Sequence, residues 1–379
     1  MNQSPLLSLF VVLLACTLAC ASNSAEARPD HTAKAVFTGE DSTDRAQYTT
    51  EDQANKVVAA SAALQTCRIQ NATSPQSCEL TQLDGKALTT SQDIKNQLPT
   101  GDHPLFLWLV KSRTAAVFLA GSVHILKPGL YPLATAYQEA FDQANYLVVE
   151  VDLNALSPQQ MQSKALSYAA LPQGQTLPQV LPAALYKKLE AVTNEYGLPL
   201  AQMANFKPSF ISQQLALLAF VSAGYDPNAG VESHFTRQLG DRKVLQLETI
   251  DLQLDLLMNQ PMATQIAMLQ DTLDQIDSID RIAADMVTAY LAGDEAGLDT
   301  ALREQTGSSP EAIAFMHKLM DERNVGMVDK IEGYLKSNGV YFVLIGSGHY
   351  VGSNNIIQLM EERGYTLRQV NASEQVKVR

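Results

Sequence analysis

The chain predicts an α/β fold with a mixed central sheet, in which two related strand-loop-helix-strand halves are flanked by helices. Three observations carry that prediction: apolar runs of strand length, amphipathic segments of helix length, and a strand, loop, helix, strand order that occurs twice. With 46% apolar residues in 379, the chain can bury a sizeable core. Its formal net charge of -13, without a block of Lys and Arg, argues against nucleic acid or an anionic membrane surface as partner. Cationic metals and neutral or basic ligands stay open.

Met1 to Ala27 read as a signal peptide, because the apolar run Leu6 to Leu18 is too short to span a bilayer and small residues follow it. Ala25-Glu26-Ala27 offers an A-x-A cleavage site, whereas Ala15-Cys16 or Ala19-Cys20 would suit a lipid anchor. The expected product is exported, either free in a periplasm or as a lipoprotein. Residues 28–100 are polar and weakly periodic, and read as an appendage with helices around Asp52 to Leu64 and Ser91 to Leu98. Cys67 and Cys78 are the cysteines left after the signal, and in an oxidising compartment they are expected to form one disulfide.

Residues 101–379 form the predicted main domain, with a helical insertion over about 153–335. Leu105 to Val110 and Ala116 to Ala120 flank the polar Lys111-Ser112-Arg113-Thr114 and read as a hairpin of buried strands. Gly121-Ser122-Val123-His124 follows, then a loop, a helix from Pro132 to Gln143 and the strand Tyr146 to Val151. The same order returns in Tyr341 to Ile345, Gly346-Ser347-Gly348-His349, a helix from Ser353 to Arg363 and the strand Tyr365 to Val370. Aligning Val117 to His124 with Phe342 to His349 brings Leu, Gly, Ser and His into register, a pseudo-repeat. Between the halves lie amphipathic helices, including Met262 to Ile276, Ser278 to Leu291, Glu295 to Glu304 and Pro310 to Lys336. One short strand, Val244 to Glu248, interrupts them and is expected to join the sheet.

In open α/β sheets the ligand sits beyond the carboxyl ends of the strands, and His124 and His349 are both placed there. Two imidazoles at equivalent ends of a repeat can hold a divalent metal; the plainer role for each is a hydrogen bond to its own loop. Carboxylates would complete such a site, and Glu150 and Glu248 end apolar strands where a carboxylate is costly unless paired or bound to a cation. A salt bridge to a covering helix is the alternative for Glu150, and a helix-capping role for Glu248. Asp152 is a weaker option. Arg323 could clamp a carboxylate or carry charge stabilisation at the site, although on sequence alone it belongs to an ordinary solvated helix face. His234 is a candidate pocket residue, and His317 with Asp321 suits a surface ion pair. His31 and His103 carry no signal. No His-Glu-x-x-His, Gly-x-Ser-x-Gly or phosphate-binding Walker loop is present.

These residues resemble the TraB/GumN (TraB/PrgY/GumN) family, to which the Tiki metalloproteases are related. The resemblance runs from Leu107-Trp108 through Gly121 to His124, Tyr131-Pro132-Leu133 and Val148 to Glu150, then Lys207-Pro208, Gly224 to Asp226 and Gly230 to Glu232. It continues in Leu247-Glu248-Thr249 with Gln253, Glu322-Arg323-Asn324, Gly346 to His349 and Gly364-Tyr365. It implies an erythromycin-esterase/ChaN-like fold and a divalent-metal site on His124, His349 and Glu150, with Glu248 and Arg323 as further matched positions. One departure is Ser209 after the Lys-Pro pair, where many relatives carry Trp. The resulting expectation is a metal-dependent, peptidase-like hydrolase of amides or esters, with Mn, Co, Zn or Fe as the ion and Glu150 or Glu248 taking the proton. The rival is a protein that sequesters a peptide, haem or metal without turnover.

Overall fold

A computed structural model describes residues 30–39, 44–306 and 309–378. The expected signal peptide, and with it the choice between cleavage and lipid anchoring, lies outside the described residues. Among the described residues no helix is long and apolar enough to cross a membrane.

The architecture is mixed α/β with two sheets and many helices. The central sheet holds β5 (Pro104–Lys111), β6 (Ala115–Ser122), β7 (Tyr146–Val149), β8 (Lys243–Gln246), β9 (Gly339–Gly346) and β10 (Leu367–Asn371), and follows a separate sheet of β1 (His31–Thr38), β2 (Arg45–Gln53), β3 (Cys78–Leu83) and β4 (Lys86–Ala87). Its order is β10-β5-β6-β9-β7-β8. β5 pairs antiparallel with both β6 and β10, while β6, β9, β7 and β8 are mutually parallel. The β5–β6 hairpin is closed by Ser112, whose Oγ accepts from the amides of Thr114 at 3.2 Å and Ala115 at 3.0 Å. Every residue of β6 is buried, as expected of a strand with helices on both faces.

The two halves of the pseudo-repeat lie side by side. β6 and β9 pair in parallel with Gly121 opposite Ile345 and Ser122 opposite Gly346. From β6 the chain crosses β9 to reach β7, whereas from β9 it returns past β6 and β5 to reach β10. The connections thus leave in opposite directions, which makes the β6–β9 junction a topological switch point. Opposite faces of β9 are covered by different helices. Phe342 meets Phe141 of helix Thr135–Asp142, which connects β6 to β7, edge-on at 5.4 Å, while its neighbour Tyr341 stacks on Tyr334 of helix Asp321–Leu335, which leads into β9, at 4.9 Å.

Two expectations need correction. The segment read as an appendage contains β1 (His31–Thr38), β2 (Arg45–Gln53), β3 (Cys78–Leu83) and β4 (Lys86–Ala87) in an antiparallel sheet of order β2-β1-β3-β4. Helix Lys56–Gln70 lays Ala59, Ala60, Ala63 and Cys67 against Ala33, Ala35, Phe37 and Leu80. Small side chains let this helix and sheet approach closely, so a core forms from a segment of low hydrophobicity. Cys67 and Cys78 are bonded across it, with Cα atoms 5.9 Å apart. The second correction concerns Pro310 to Lys336, which is two helices, Pro310–Leu319 and Asp321–Leu335, broken at Met320 (φ -111°, ψ -72°).

Candidate functional site

Four parallel strands deliver four side chains to one edge of the sheet. In spatial order across β6, β9, β7 and β8, these are His124, His349, Glu150 and Glu248. β7 and β8 end at Val149 and Gln246, but the amide of Leu247 still bonds Val149 O at 2.9 Å and that of Glu248 bonds Glu150 O at 2.8 Å. Those backbone bonds set the two glutamates beside each other.

Arg323 joins them. The break at Met320 puts it in the first turn of helix Asp321–Leu335, from where Nη2 reaches Glu150 Oε2 at 2.6 Å and Glu248 Oε2 at 2.5 Å. Its Nε donates to Glu248 Oε1 at 2.9 Å and Oε2 at 3.1 Å, and its Nη1 satisfies the carbonyl of Leu319 at 2.8 Å. Gln253 Nε2 donates to Glu150 Oε2 at 3.0 Å and Glu248 Oε2 at 3.3 Å. The remaining oxygen of Glu150 accepts from the amide of Gly346 at 2.8 Å. The Arg323 side chain is only 10% exposed, so the solvated alternative does not hold. The salt bridge to a covering helix considered for Glu150 does hold. Capping before helix Ile250–Met258 falls to Thr249, which accepts from Leu252, and Glu248 is left to the clamp.

The two imidazoles are each gripped at Nδ1. His349 Nδ1 lies 2.6 Å from Asn324 Oδ1, and Asn324 is itself held by donating to Asn354 O at 2.9 Å. His124 Nδ1 lies 2.7 Å from Glu232 Oε1, which also accepts from the hydroxyl of Ser122. His349 Nε2 stands 4.0 Å from Glu150 Oε1, beyond hydrogen-bond range. A Cβ added to Gly346 would lie 3.1 Å from Glu150 Oε1, 3.8 Å from His349 Cδ2 and 3.9 Å from His124 Nε2, so all three groups converge over this glycine.

Electrostatics separates the members. The Glu232 carboxylate raises the His124 imidazole to about 9 against the opposing effect of desolvation, and water at the open side of the ring, 47% exposed, screens part of that pull. Burial pushes His349 down to about 4, which keeps it neutral. Burial alone would raise Glu150, but Arg323, His349, His124 and the Gly346 amide outweigh it and bring the carboxyl to about 2. Glu232 is lowered in the same way, with His124 overcoming burial.

Among the described residues no group of three or more His, Cys, Asp or Glu side chains already stands at coordination spacing. The donor chemistry nonetheless fits a divalent ion: one neutral imidazole, one ionised carboxylate, and a second imidazole backed by a carboxylate, the arrangement that orients and strengthens histidine ligands.

Other predicted positions fall away from this cluster. Asp152 caps the turn Leu153–Ala155 through Asn154 N at 3.0 Å. His234 stacks on Tyr131 at 4.6 Å with Nε2 against Gln238. His317 pairs with Asp321 at 3.6 Å and Glu322 at 3.5 Å on the surface. His31 binds Asp84, and His103 binds the carbonyls of Gly101 and Leu291. Glu232, Asn324 and Gln253, which the sequence offers only as positions of the family resemblance, also reach the cluster. Proximity in sequence to Arg323 is the one cue that could have pointed to Asn324.

The TraB/PrgY/gumN family matches residues 106–369, which contain the whole cluster. Relatives include a protein of Treponema pallidum (strain Nichols), 20% identical over 267 residues, covering 68% of this chain and 80% of the relative. YbaP of Escherichia coli (strain K12) is 24% identical over 251 residues, covering 64% and 86%. The metalloprotease TIKI2 of Xenopus tropicalis is 23% identical over 330 residues, covering 73% of this chain and 62% of the relative. No solved structure matches the chain.

Proposed function

Because the chain belongs to the TraB/PrgY/gumN family, we propose that it is a metal-dependent hydrolase of amide or ester bonds, acting on peptides, with an erythromycin-esterase/ChaN-like core. The observation that carries this reading is the convergence of His124, His349 and Glu150 over Gly346, with Nδ1 of each imidazole engaged by an acceptor. At His349 that engagement favours the tautomer whose Nε2 can bind a cation, and at His124 it orients the ring so that Nε2 is offered once its proton is released. The likeness to a metalloprotease of Xenopus tropicalis supports hydrolysis. We propose that the mature protein works after export, in the compartment where its Cys67–Cys78 bond is stable.

In this reading His124, His349 and Glu150 hold the ion and set the side from which substrate enters. A divalent ion of the Mn, Co, Zn or Fe type supplies a bound water of lowered pKa and polarises the scissile carbonyl. Arg323 holds both glutamates, Glu150 through one oxygen and Glu248 through two, and either would take the proton. Glu248 positions Arg323, which in turn fixes Glu150. We place substrate entry beside the half-exposed His124 ring.

The test begins with metal-stripped protein, titrated with each ion and analysed for bound metal, wild type against a His124→Ala, His349→Ala double variant. Wild type should take up one ion and the double variant none; full occupancy in the double variant rejects the site. Turnover of a peptide library by the loaded protein then separates hydrolysis from sequestration. Stoichiometric capture without product would favour a binding protein, a reading that the prior engagement of both Glu150 oxygens also suits.

A further inference from the structure

The loop that carries His124 is held on one side by residues 223–231. Val231 N bonds Val123 O at 3.0 Å, Asp226 N bonds Leu126 O at 2.8 Å, and the Tyr131 hydroxyl bonds Ala229 O at 2.9 Å. Lys127, three residues beyond His124, is fully buried. Its Nζ donates to Ala223 O at 2.6 Å and lies 4.5 Å above the ring of Tyr225. Gly224, at φ +85°, leaves the space for it: a Cβ there would meet both Leu80 of β3 and Lys127 Nζ at 3.3 Å.

A buried ammonium persists only where acceptors and carboxylates surround it, and for packing alone an apolar side chain is the cheaper solution. Burial pushes the Lys127 ammonium down, and the carboxylates whose charge opposes this come from both parts of the chain: Glu79 on β3, Asp280 on helix Ile279–Ala292 and Asp93 on helix Ser91–Lys95. Each is oriented by the same short segment. Glu79 accepts from Ser91 N at 2.6 Å and Ser91 Oγ at 2.8 Å, Asp93 from Thr90 N at 2.8 Å, and Asp280 from Thr89 N at 2.8 Å. Gly129 closes the contact, since a Cβ on it would meet Ser91 Oγ at 2.8 Å.

We propose that Lys127 is a positioning residue, which pins the His124 loop to the Ala223-Gly224-Tyr225 turn where Gly224 lies against Leu80 of β3, so that the sheet before the main domain helps set the candidate metal centre. The functional consequence rests on the metal-site reading above; the pinning itself concerns only the loop.

Lys127→Met keeps the length of the side chain and removes its charge, while Glu79→Gln keeps an acceptor for Ser91 and removes the countercharge. Leu177→Ala, in the fully buried core of the helical insertion, serves as the control for general destabilisation. The probe is Co²⁺. Each pin variant should weaken Co²⁺ binding about tenfold, as loss of an outer partner of a ligand does, shift the visible absorption of the bound ion, and speed hydrogen exchange of amides 123–130. The control should leave all three unchanged. Unaltered affinity, spectrum and exchange in both pin variants would overturn the proposal, and so would the same changes in the control. Should Lys127→Met fail to fold, Glu79→Gln decides. If wild type binds no Co²⁺, the metal-site reading fails, and the exchange of the loop amides alone accepts or rejects the pin.

Discussion

His124 and His349 are the same side chain held in opposite electrostatic settings, and this difference predicts how stability should follow pH in the metal-free protein. The pKa of His349 falls to about 4 because burial opposes its charge, so its contribution is complete above the ordinary 6.5 and is lost as pH falls through 4. Glu150, lowered to about 2, acts in the same sense further into acid, below 4.5. For His124, raised to about 9, the sign reverses: the pairing with Glu232 stabilises fully below 6.5 and fades as pH rises through 9. Urea unfolding between pH 6.5 and 4 should therefore have a slope shallower by up to about 1.4 kcal/mol per pH unit in His349→Ala than in wild type. Parallel curves would mean that His349 is not held neutral. Glu232→Gln should flatten the alkaline limb. At this scale the strand-end residues were legible, because an ionisable side chain directly after an apolar run has few ordinary explanations. Glu232, Asn324 and Gln253 were not, since each sits on a helix of unexceptional polarity and acts on another side chain.

The strand ends are useful because the elements around them have little freedom, and two glycines test this directly. At Gly230 the backbone is ordinary (φ -58°), but an added Cβ would meet the carbonyl oxygen of His124 at 2.1 Å, and neither backbone can yield without moving the loop. At Gly348 the nearest atoms are Met320 Cε at 3.1 Å and Leu302 Cδ1 at 3.3 Å, both flexible ends. Gly230→Ala should then cost about 1–3 kcal/mol and weaken metal binding, whereas Gly348→Ala should leave both nearly unchanged. Thermal unfolding and Co²⁺ titration of the two variants check this; equal effects would count against a rigid His124 loop. Among the elements, β5, β6 and β9 were legible as apolar runs, and the pseudo-repeat foretold that β6 and β9 end alike. The sheet of β1 to β4 was not, because β2 reads Arg45 to Gln53 with a polar residue at nearly every position, and its register comes from β1 rather than from its own pattern. The break at Met320 was hidden too, as no Gly or Pro marks it, yet it places Arg323 in the first turn, between the glutamates.

At the scale of the whole molecule, the described residues form three hydrophobic cores: the central sheet with its covering helices, which carries the candidate site, the helical insertion, and the N-terminal sheet. The order of strands was not readable from sequence, since β7 meets β8 only after the first helices of the insertion and β6 meets β9 only after the whole of it. Loss of the Cys67–Cys78 bond should act through the N-terminal core alone. The bond closes a loop of sequence separation 11, so a Cys67→Ala, Cys78→Ala variant should lose about 2–3 kcal/mol by the chain-entropy account. The candidate site belongs to a different core, and as long as the N-terminal sheet remains folded its affinity for an ion should be kept. Linkage separates the two effects: an ion at a hundredfold its dissociation constant should add about 2.7 kcal/mol to the native state. That increment should appear undiminished in the cysteine variant at 25 °C and vanish in the His124→Ala, His349→Ala variant. Denaturant unfolding with and without the ion measures both. An equal increment in the histidine variant would place the ion elsewhere, and its loss in the cysteine variant would show that the N-terminal core and the site unfold as one.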